Sequence, residues 1–261
     1  MGDISYRPLM DDMVWSYSRI KCYDDCPYRF FLNYIHGSED VPQFYASYGS
    51  FMHKLLEKFY RGELTKAEMK MKFLTGFSEE VQGLRPSQNT VENYIRKGLD
   101  YIDNFEPFKY EMVEVEKKIY FEIDGIKFVA IIDYIGKDDD GNLVIIDHKS
   151  RELKQRSNRK KPTKNDAEID EMLTQLYVYA TALKSEYGVF PKKLCFNCFK
   201  NGVFIEEDFH EEKQKEVVSW LLKRIEEIKS TDSDDFYPNV EFFGCYYICG
   251  FSDDCCYWLE R

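Results

Sequence analysis

The sequence predicts a fold in which helices pack on an antiparallel sheet of at least three strands. At the centre of that sheet we place residues 128–150, where two apolar runs flank a turn marked by Asp140-Gly141. Residues 111–123 partly alternate apolar and charged side chains and lead through Asp124-Gly125 into this pair. Apolar residues recur at helical spacing before and after the strands, which predicts helices on both sides of them in the chain.

The remaining elements follow from the same patterns. Asn201-Gly202 is the strongest turn signal in the chain and predicts a second hairpin, from residues 193–200 and 203–209. Ser16 or Ser18 starts a helical region that Pro27 divides. The other predicted helices span residues 48–62, 65–83, 90–105, 166–184 and 211–229.

Composition limits the class of protein. A chain of 261 residues with 44% hydrophobic and 16% aromatic content can build a substantial core. No apolar run approaches the roughly 20 residues of a membrane helix, and no signal peptide is visible, so we expect a cytoplasmic protein. The net charge of −11 argues against a uniformly basic nucleic-acid surface, so any contact with phosphates needs a local patch.

Two carboxylates and a lysine are expected to converge on the central strands. Asp133 and Asp147 lie equally far from Asp140, so a tight hairpin sets them opposite each other. Lys149 is two residues beyond Asp147 and shares its face of the strand. A carboxylate is costly to bury in an apolar strand without a cationic partner, and this set is suited to a hard metal ion such as Mg²⁺ or Mn²⁺.

Two helices carry polar pairs at a spacing of four residues. His53 and Glu57 share one helix face, and taken alone they favour a solvated surface pair over a metal ligand. Gln175 and Tyr179 share a face of the 166–184 helix in the same way.

Residues 149–164 reverse the charge of the chain locally, because eight of the sixteen are Lys or Arg and one is acidic. Charge runs of this kind are usually solvated, mobile loops. The position directly after the predicted metal site favours phosphate binding instead. The candidate nucleic-acid-binding residues are Arg151, Lys154, Arg156, Arg159, Lys160 and Lys161.

Eight cysteines in a reducing compartment indicate metal ligands or free thiols rather than disulfides. Four of them, Cys245, Cys249, Cys255 and Cys256, crowd into the aromatic C-terminal tail, which favours a zinc or iron–sulfur site. For Cys22 and Cys26, the sequence supports metal ligands and buried thiols about equally. Cys195 and Cys198 are three apart on a strand and are expected to be buried thiols on opposite faces.

These motifs together resemble the RecB-like branch of the PD-(D/E)XK nuclease superfamily, and most closely its iron–sulfur members, the CRISPR-associated exonucleases and the AddB nuclease domain. The resemblance covers nearly the whole chain, in family order. It departs from the family in the three residues between Cys245 and Cys249 and in the doublet Cys255-Cys256. The matching motifs are Cys-Pro-Tyr-Arg-Phe at 26–30, Gly-x-x-x-His at 49–53, Asp133, Asp-x-Lys at 147–149, Gln-x-x-x-Tyr at 175–179 and the cysteines 245, 249 and 255.

The resemblance implies an α/β fold with a central mixed β-sheet flanked by helices, and metal-dependent hydrolysis of DNA. His53, Asp133, Asp147 and the backbone carbonyl of His148 would hold Mg²⁺ or Mn²⁺. Lys149 would orient water or stabilise the phosphate, and Gln175 and Tyr179 would support the site. Cys26, Cys245, Cys249 and Cys255 would bind a 4Fe–4S cluster, with Zn²⁺ as the alternative.

The implied organisation is one nuclease domain over residues 1–261. It comprises a helical region at 48–110, a catalytic core at 111–210, a C-terminal helix at 211–230 and an iron–sulfur clasp formed by 15–45 and 240–261. The implied role is an exonuclease acting on single-stranded or free DNA ends, in recombination, repair or CRISPR or phage DNA processing. The alternatives are a catalytically silent DNA-binding protein or a zinc-binding adaptor. The complete set of Asp133, Asp147 and Lys149 argues against the first. Metal analysis distinguishes the second, because iron and sulfide favour the nuclease family and zinc alone favours the adaptor.

Overall fold

The computed structural model describes residues 5–231 and 235–258. Its α-helices are α1 (Arg7–Asp11), α2 (Tyr17–Asp25), α3 (Pro27–Phe30), α4 (Phe44–Tyr60), α5 (Lys66–Glu80), α6 (Gln88–Asn104), α7 (Lys164–Tyr187) and α8 (Glu211–Lys229). Its strands are β1 (Glu111–Ile123), β2 (Ile126–Lys137), β3 (Leu143–Lys149), β4 (Lys193–Cys198) and β5 (Val203–Asp208). Two short π-helical segments are Phe31–His36 and Gly244–Ile248.

The five strands form one mixed sheet in the order β1-β2-β3-β4-β5. Three of its pairings are antiparallel, and β3 and β4 are parallel. A parallel pair needs a crossover connection, and α7 provides it. The predicted α/β class, with a central mixed sheet flanked by helices, is confirmed.

Local sequence explains where the elements begin and turn. Ser16 caps α2 by accepting a hydrogen bond from the Arg19 amide, and Thr163 caps α7 in a reciprocal capping box with Asp166. Asp124 and Gly125 both have left-handed φ angles, +48° and +78°, as a two-residue hairpin turn requires. The predicted helix starting near residue 48 begins four residues earlier, at Phe44.

The sheet separates two cores. On one face, Leu143 and Ile145 of β3 join the large cluster built with α2, α7 and α8. On the other face, Val144 and Ile146 pack with Tyr134 in a smaller cluster. Helices α4, α5 and α6 form a core of their own, centred on aromatic side chains such as Phe44 and Phe73.

The long β1–β2 hairpin packs into one core cluster near its open end and into another nearer its turn. Val115 and Tyr134 belong to the smaller cluster, whereas Ile119 and Ile132 belong to the large one. Glu116 lies at this change with a left-handed φ of +51°, a conformation that is uncommon for a residue with a side chain. Such irregularities in strands often lie next to active sites, where they redirect a side chain.

None of the helices in the described part of the chain is long and apolar enough to cross a membrane. Cys195 and Cys198 are fully buried and belong to clusters on opposite faces of the sheet, as their spacing predicts.

Candidate active site

Asp133 and Asp147 face each other across β2 and β3. The antiparallel register places Tyr134 opposite Ile146, so the next pair is Asp133 and Asp147. Both residues are buried, at 8% and 3% exposure. Two carboxylates at this depth need cationic or hydrogen-bonding partners.

Asp133 finds its partners in two histidines. Its Oδ2 accepts a hydrogen bond from the backbone N–H of His148 at 2.6 Å, and its Oδ1 lies 3.5 Å from Nδ1 of His53. Burial alone raises the pKa of Asp133, but His53 and the His148 amide outweigh it and lower that pKa to about 2. Asp133 is therefore ionised at neutral pH.

His53 reaches the sheet because α4 buries its apolar neighbours Met52 and Leu56. Its Nε2 lies 3.1 Å from the carbonyl oxygen of His148, so the imidazole and the carbonyl expected to share a metal are in direct contact. Glu57 pairs with Arg61 at 2.8 Å, while the contacts of His53 are with Asp133 and His148. Burial lowers the pKa of His53, and the charge of Asp133 more than reverses this, so the net shift is upward.

Glu116 completes this group and was missed by the sequence analysis. Ligand atoms of His53, Glu116 and Asp133 all lie within 4.8 Å of one another, close enough to hold one metal ion. Burial, and then the charge of Asp133, raise the pKa of Glu116 to about 7. The signal was present in the sequence: Glu116 and Asp133 lie equally far from the Asp124-Gly125 turn, so the same hairpin symmetry sets them opposite each other.

Lys149, Gln175 and Tyr179 form a connected line beside the carboxylates. Lys149 Nζ lies 2.7 Å from Asp147 Oδ2 and donates to Gln175 Oε1 at 2.7 Å. The Gln175 amide donates to the Tyr179 hydroxyl at 2.6 Å. The i, i+4 spacing on α7 therefore holds the lysine from one side.

Asp147 is held by one cation. Its buried Oδ2 lies 2.7 Å from Lys149 Nζ, and among the described residues it has no other polar partner. Burial raises the pKa of Asp147 to about 6 against the opposing effect of Lys149. Buried or half-buried carboxylates beside an imidazole form a donor set that fits a divalent cation of the Mg²⁺ or Mn²⁺ kind.

The side chain of His148 points to the other face of the sheet. It is buried, at 3% exposure, and burial lowers its pKa to about 3, so the ring is neutral. Its Nδ1 lies 3.0 Å from the amide nitrogen of Asn197. Only the backbone of His148 therefore takes part in the candidate metal site.

A model of the PD-(D/E)XK nuclease superfamily matches residues 14–256. The chain belongs to that superfamily. Membership implies a nucleic-acid substrate.

Two solved structures match the chain. A protein from Eubacterium rectale described as a "Putative exonuclease" is 13% identical, with a TM-score of 0.50 over 82% of this chain and 84% of that one. At this identity the likeness concerns the fold alone. The structure of SSO0001 is 16% identical, with a TM-score of 0.31 over 81% of this chain and 97% of that one. A comparison with curated proteins gives no significant match.

In this PD-(D/E)XK protein the basic segment 149–164 is partly engaged in ion pairs. Arg151 pairs with Glu168 at 2.7 Å, and Arg156 lies between Asp170 and Glu207 at 2.6 Å from each. These two arginines of the predicted set are therefore already compensated. Within residues 5–231 and 235–258, no ion pair involves the exposed side chains of Lys154, Arg159, Lys160 and Lys161.

Cysteines from both ends of the chain lie in one region, but among the described residues no three of them bring their sulfur atoms within 4.8 Å of one another, so the predicted cluster is not shown. Burial raises the pKa of Cys255, and the neighbouring thiols of Cys256, Cys26 and Cys245 raise it further. Cys256 is exposed, 3.5 Å from the Tyr28 hydroxyl. Cys22 is buried in the large core, where burial raises its pKa to about 12. The final residues of the predicted clasp, 259–261, lie outside the described part.

The surroundings of these thiols fit a negatively charged cluster. The buried Nε of Arg29 has no hydrogen-bond partner among the described residues. Burial lowers the pKa of Arg29, but nearby Cys22 and Cys249 reverse the direction and raise it. A guanidinium beside Cys22 and Cys249 would offset negative charge if the neighbouring cysteines bound an iron–sulfur or zinc centre.

Proposed function

We propose that the protein is a divalent-metal-dependent deoxyribonuclease that removes nucleotides from DNA ends. The observation that carries the proposal is the group of His53, half-buried Glu116 and buried Asp133, with the ammonium of Lys149 2.7 Å from Asp147. We assign His53, Asp133, Asp147 and the His148 carbonyl as ligands of Mg²⁺ or Mn²⁺, and add Glu116 to them.

The bound ion supplies Lewis acidity, which activates water and stabilises charge on the phosphate. The protein's own residues hold the geometry. Lys149, fixed between Asp147 and Gln175, places a positive charge where negative charge develops on the phosphate oxygens or orients the attacking water. Gln175 and Tyr179 keep the lysine in place, which limits the reorganisation needed during reaction.

We further propose that Cys26, Cys245, Cys249 and Cys255 bind a 4Fe–4S cluster. The cluster would close the N-terminal α2–α3 region onto the C-terminal tail, as a structural clasp. Its role would be in stability, because it would link segments from opposite ends of the chain.

The first experiment compares linear and circular single-stranded DNA, incubated with Mn²⁺ or with EDTA. We expect release of nucleotides from linear DNA only and with Mn²⁺ only. Asp147→Asn, which keeps the size of the side chain, should lower the rate by at least about 100-fold, the usual cost of one strong transition-state interaction. Asp140→Asn in the exposed β2–β3 turn is the matched control and should cut at the wild-type rate. Equal rates for Asp147→Asn and wild type would refute the assignment, and cutting of circular DNA would refute end dependence.

A further inference from the structure

A cavity lies on the face of the sheet opposite Asp147 and Lys149. It has a volume of about 700 Å³ and is enclosed by α6, the segment before β1 and the β4–β5 hairpin. Pockets for small ligands usually measure about 300–1,000 Å³. None of the residues assigned above to metal binding or catalysis lines it.

Five aromatic side chains line the cavity among polar and charged residues. Phe108 and Phe204 lie with their ring centroids 5.3 Å apart, and the other aromatic lining residues are Tyr101, Phe105 and Tyr110. Flat aromatic surfaces beside polar groups are what single-stranded nucleic-acid sites use to stack bases.

Asn197 gives the cavity a specific hydrogen-bonding group. Both hydrogens of its amide are used, by the Tyr101 hydroxyl at 2.7 Å and by His148 Nδ1 at 3.0 Å. Its oxygen makes no hydrogen bond within the described ranges, 5–231 and 235–258. The oxygen is therefore the acceptor that Asn197, a lining residue, can offer to a ligand carrying an amino group.

Two lysines lie at one end of the cavity and share one carboxylate. Lys97 and Lys200 both pair with Glu152. Their side chains are only 24% and 19% exposed, so solvent screens them less than it screens the lysines on the open surface. The positive charge is local to this end, because the other charged lining residues are two cations and three carboxylates: Arg96, Lys109, Asp100, Glu106 and Glu206. Here two ammonium groups share one carboxylate, which leaves a local charge that a phosphate can neutralise.

We propose that this cavity binds one unpaired nucleotide. Its base would lie among the aromatic rings with an exocyclic amino group donating to Asn197, and its phosphate would lie near Lys97 and Lys200. The inference rests on the proposed function, because that function makes DNA strands and mononucleotides the ligands present. The nucleotide is either part of the bound strand or a released mononucleotide. The cavity excludes paired bases, because pairing hides the amino group.

The test measures binding in EDTA, where no cleavage occurs, so that it is independent of catalysis. The probes are free dAMP and dTMP, followed by calorimetry, and a labelled single strand, followed by anisotropy. We expect dAMP to bind more tightly than dTMP, which lacks the exocyclic amino group. We expect Lys97→Ser with Lys200→Ser to weaken binding of dAMP, of the strand, or of both by at least tenfold. An effect on dAMP alone identifies a mononucleotide site, and an effect on the strand identifies a strand site.

Two further variants protect this test from folding artefacts. Lys213→Ser with Lys223→Ser removes two exposed, ion-paired lysines of α8 and should bind like wild type. Asn104→Trp places a bulky side chain at an exposed position of the cavity lining and should weaken binding as the variant of Lys97 and Lys200 does. Unchanged binding of dAMP and of the strand in both cavity variants would overturn the inference. If Asp147→Asn abolishes cleavage in the same series, the proposed nuclease survives that result.

Discussion

Glu116 and Asp133 place two carboxylates opposite each other on neighbouring strands, and like charges in such a pair are destabilising. The positive charge of His53 stabilises the ionised form of Asp133 and lowers the pKa of that carboxyl. Glu116 lies in a left-handed backbone conformation, and the structure raises its pKa to about 7. Strain and repulsion at one residue are understandable if the residue serves to bind a cation.

The first prediction concerns stability without metal. Because the folded-state pKa of Glu116 is about 7, above the ordinary value of about 4.3, its stabilising contribution is complete below the ordinary value and is lost as pH rises through about 7. Glu116→Gln, which stays neutral, should therefore gain melting temperature relative to wild type between about pH 4.5 and pH 7.5 in EDTA. Glu122→Gln, exposed on the same strand, is the control. A difference in melting temperature between Glu116→Gln and wild type that is the same at every pH would contradict this interpretation.

At the scale of elements, α7 holds both ends of the basic segment in place. Asp166 in its first turn accepts hydrogen bonds from the backbone amides of Ser157 and Thr163, and Arg151 pairs with Glu168 in the next turn. Between these anchors, Arg159, Lys160 and Lys161 extend into solvent. The segment is thus fixed at its base, with free cations at its tip.

We predict that these three cations contact phosphates. Each neutralised phosphate contributes about 0.7 to the slope of log affinity against log salt for single strands. Replacing Arg159, Lys160 and Lys161 with Ser should flatten that slope by up to about 2. The same change at Lys213, Lys215 and Lys223 of α8 is the charge-matched control. Identical slopes for the basic-segment variant and wild type would show that the segment is only solvated.

The hairpins show how far the sequence predicts the site. The position of the Asp140-Gly141 turn places Asp133 opposite Asp147, because register follows from turn geometry. The parallel pairing of β3 with β4 depends on how α7 crosses the sheet, which periodicity does not indicate. For that reason the contact between His148 and Asn197, in register on these two strands, was not predicted. Glu116 was predictable from turn symmetry but was hidden by the other charges of its strand.

At the scale of the whole molecule, the thiols of Cys26 and of the tail bring together segments more than 200 residues apart in sequence. The backbone amide of Asn239 donates to Cys26 Sγ at 3.4 Å, and Val41 donates to the carbonyl of Gly250 at 3.1 Å. Closing so long a loop removes much conformational entropy from the unfolded chain. A cluster at this point would therefore stabilise the fold as a whole.

The prediction for the clasp separates stability from chemistry. Anaerobically purified wild type should contain iron and acid-labile sulfide, and Cys26→Ala should lose iron and melt at a lower temperature. Cys256→Ala, at the exposed neighbouring thiol, should keep its iron. A wild-type protein with stoichiometric zinc and no iron, or a Cys26→Ala protein with full iron content, would contradict the clasp.

The most direct test of the nuclease assignment is the rate at which Lys149→Ala degrades end-labelled single-stranded DNA at saturating Mn²⁺. Lys149 makes the contacts that link Asp147 to Gln175, so its removal should take away charge stabilisation while leaving the carboxylates in place. We expect a rate at least about 100-fold below wild type, with Lys215→Ala, at an exposed lysine of α8, close to wild type. Circular dichroism should show both variants folded. A folded Lys149→Ala protein that degrades DNA at the wild-type rate would contradict the account.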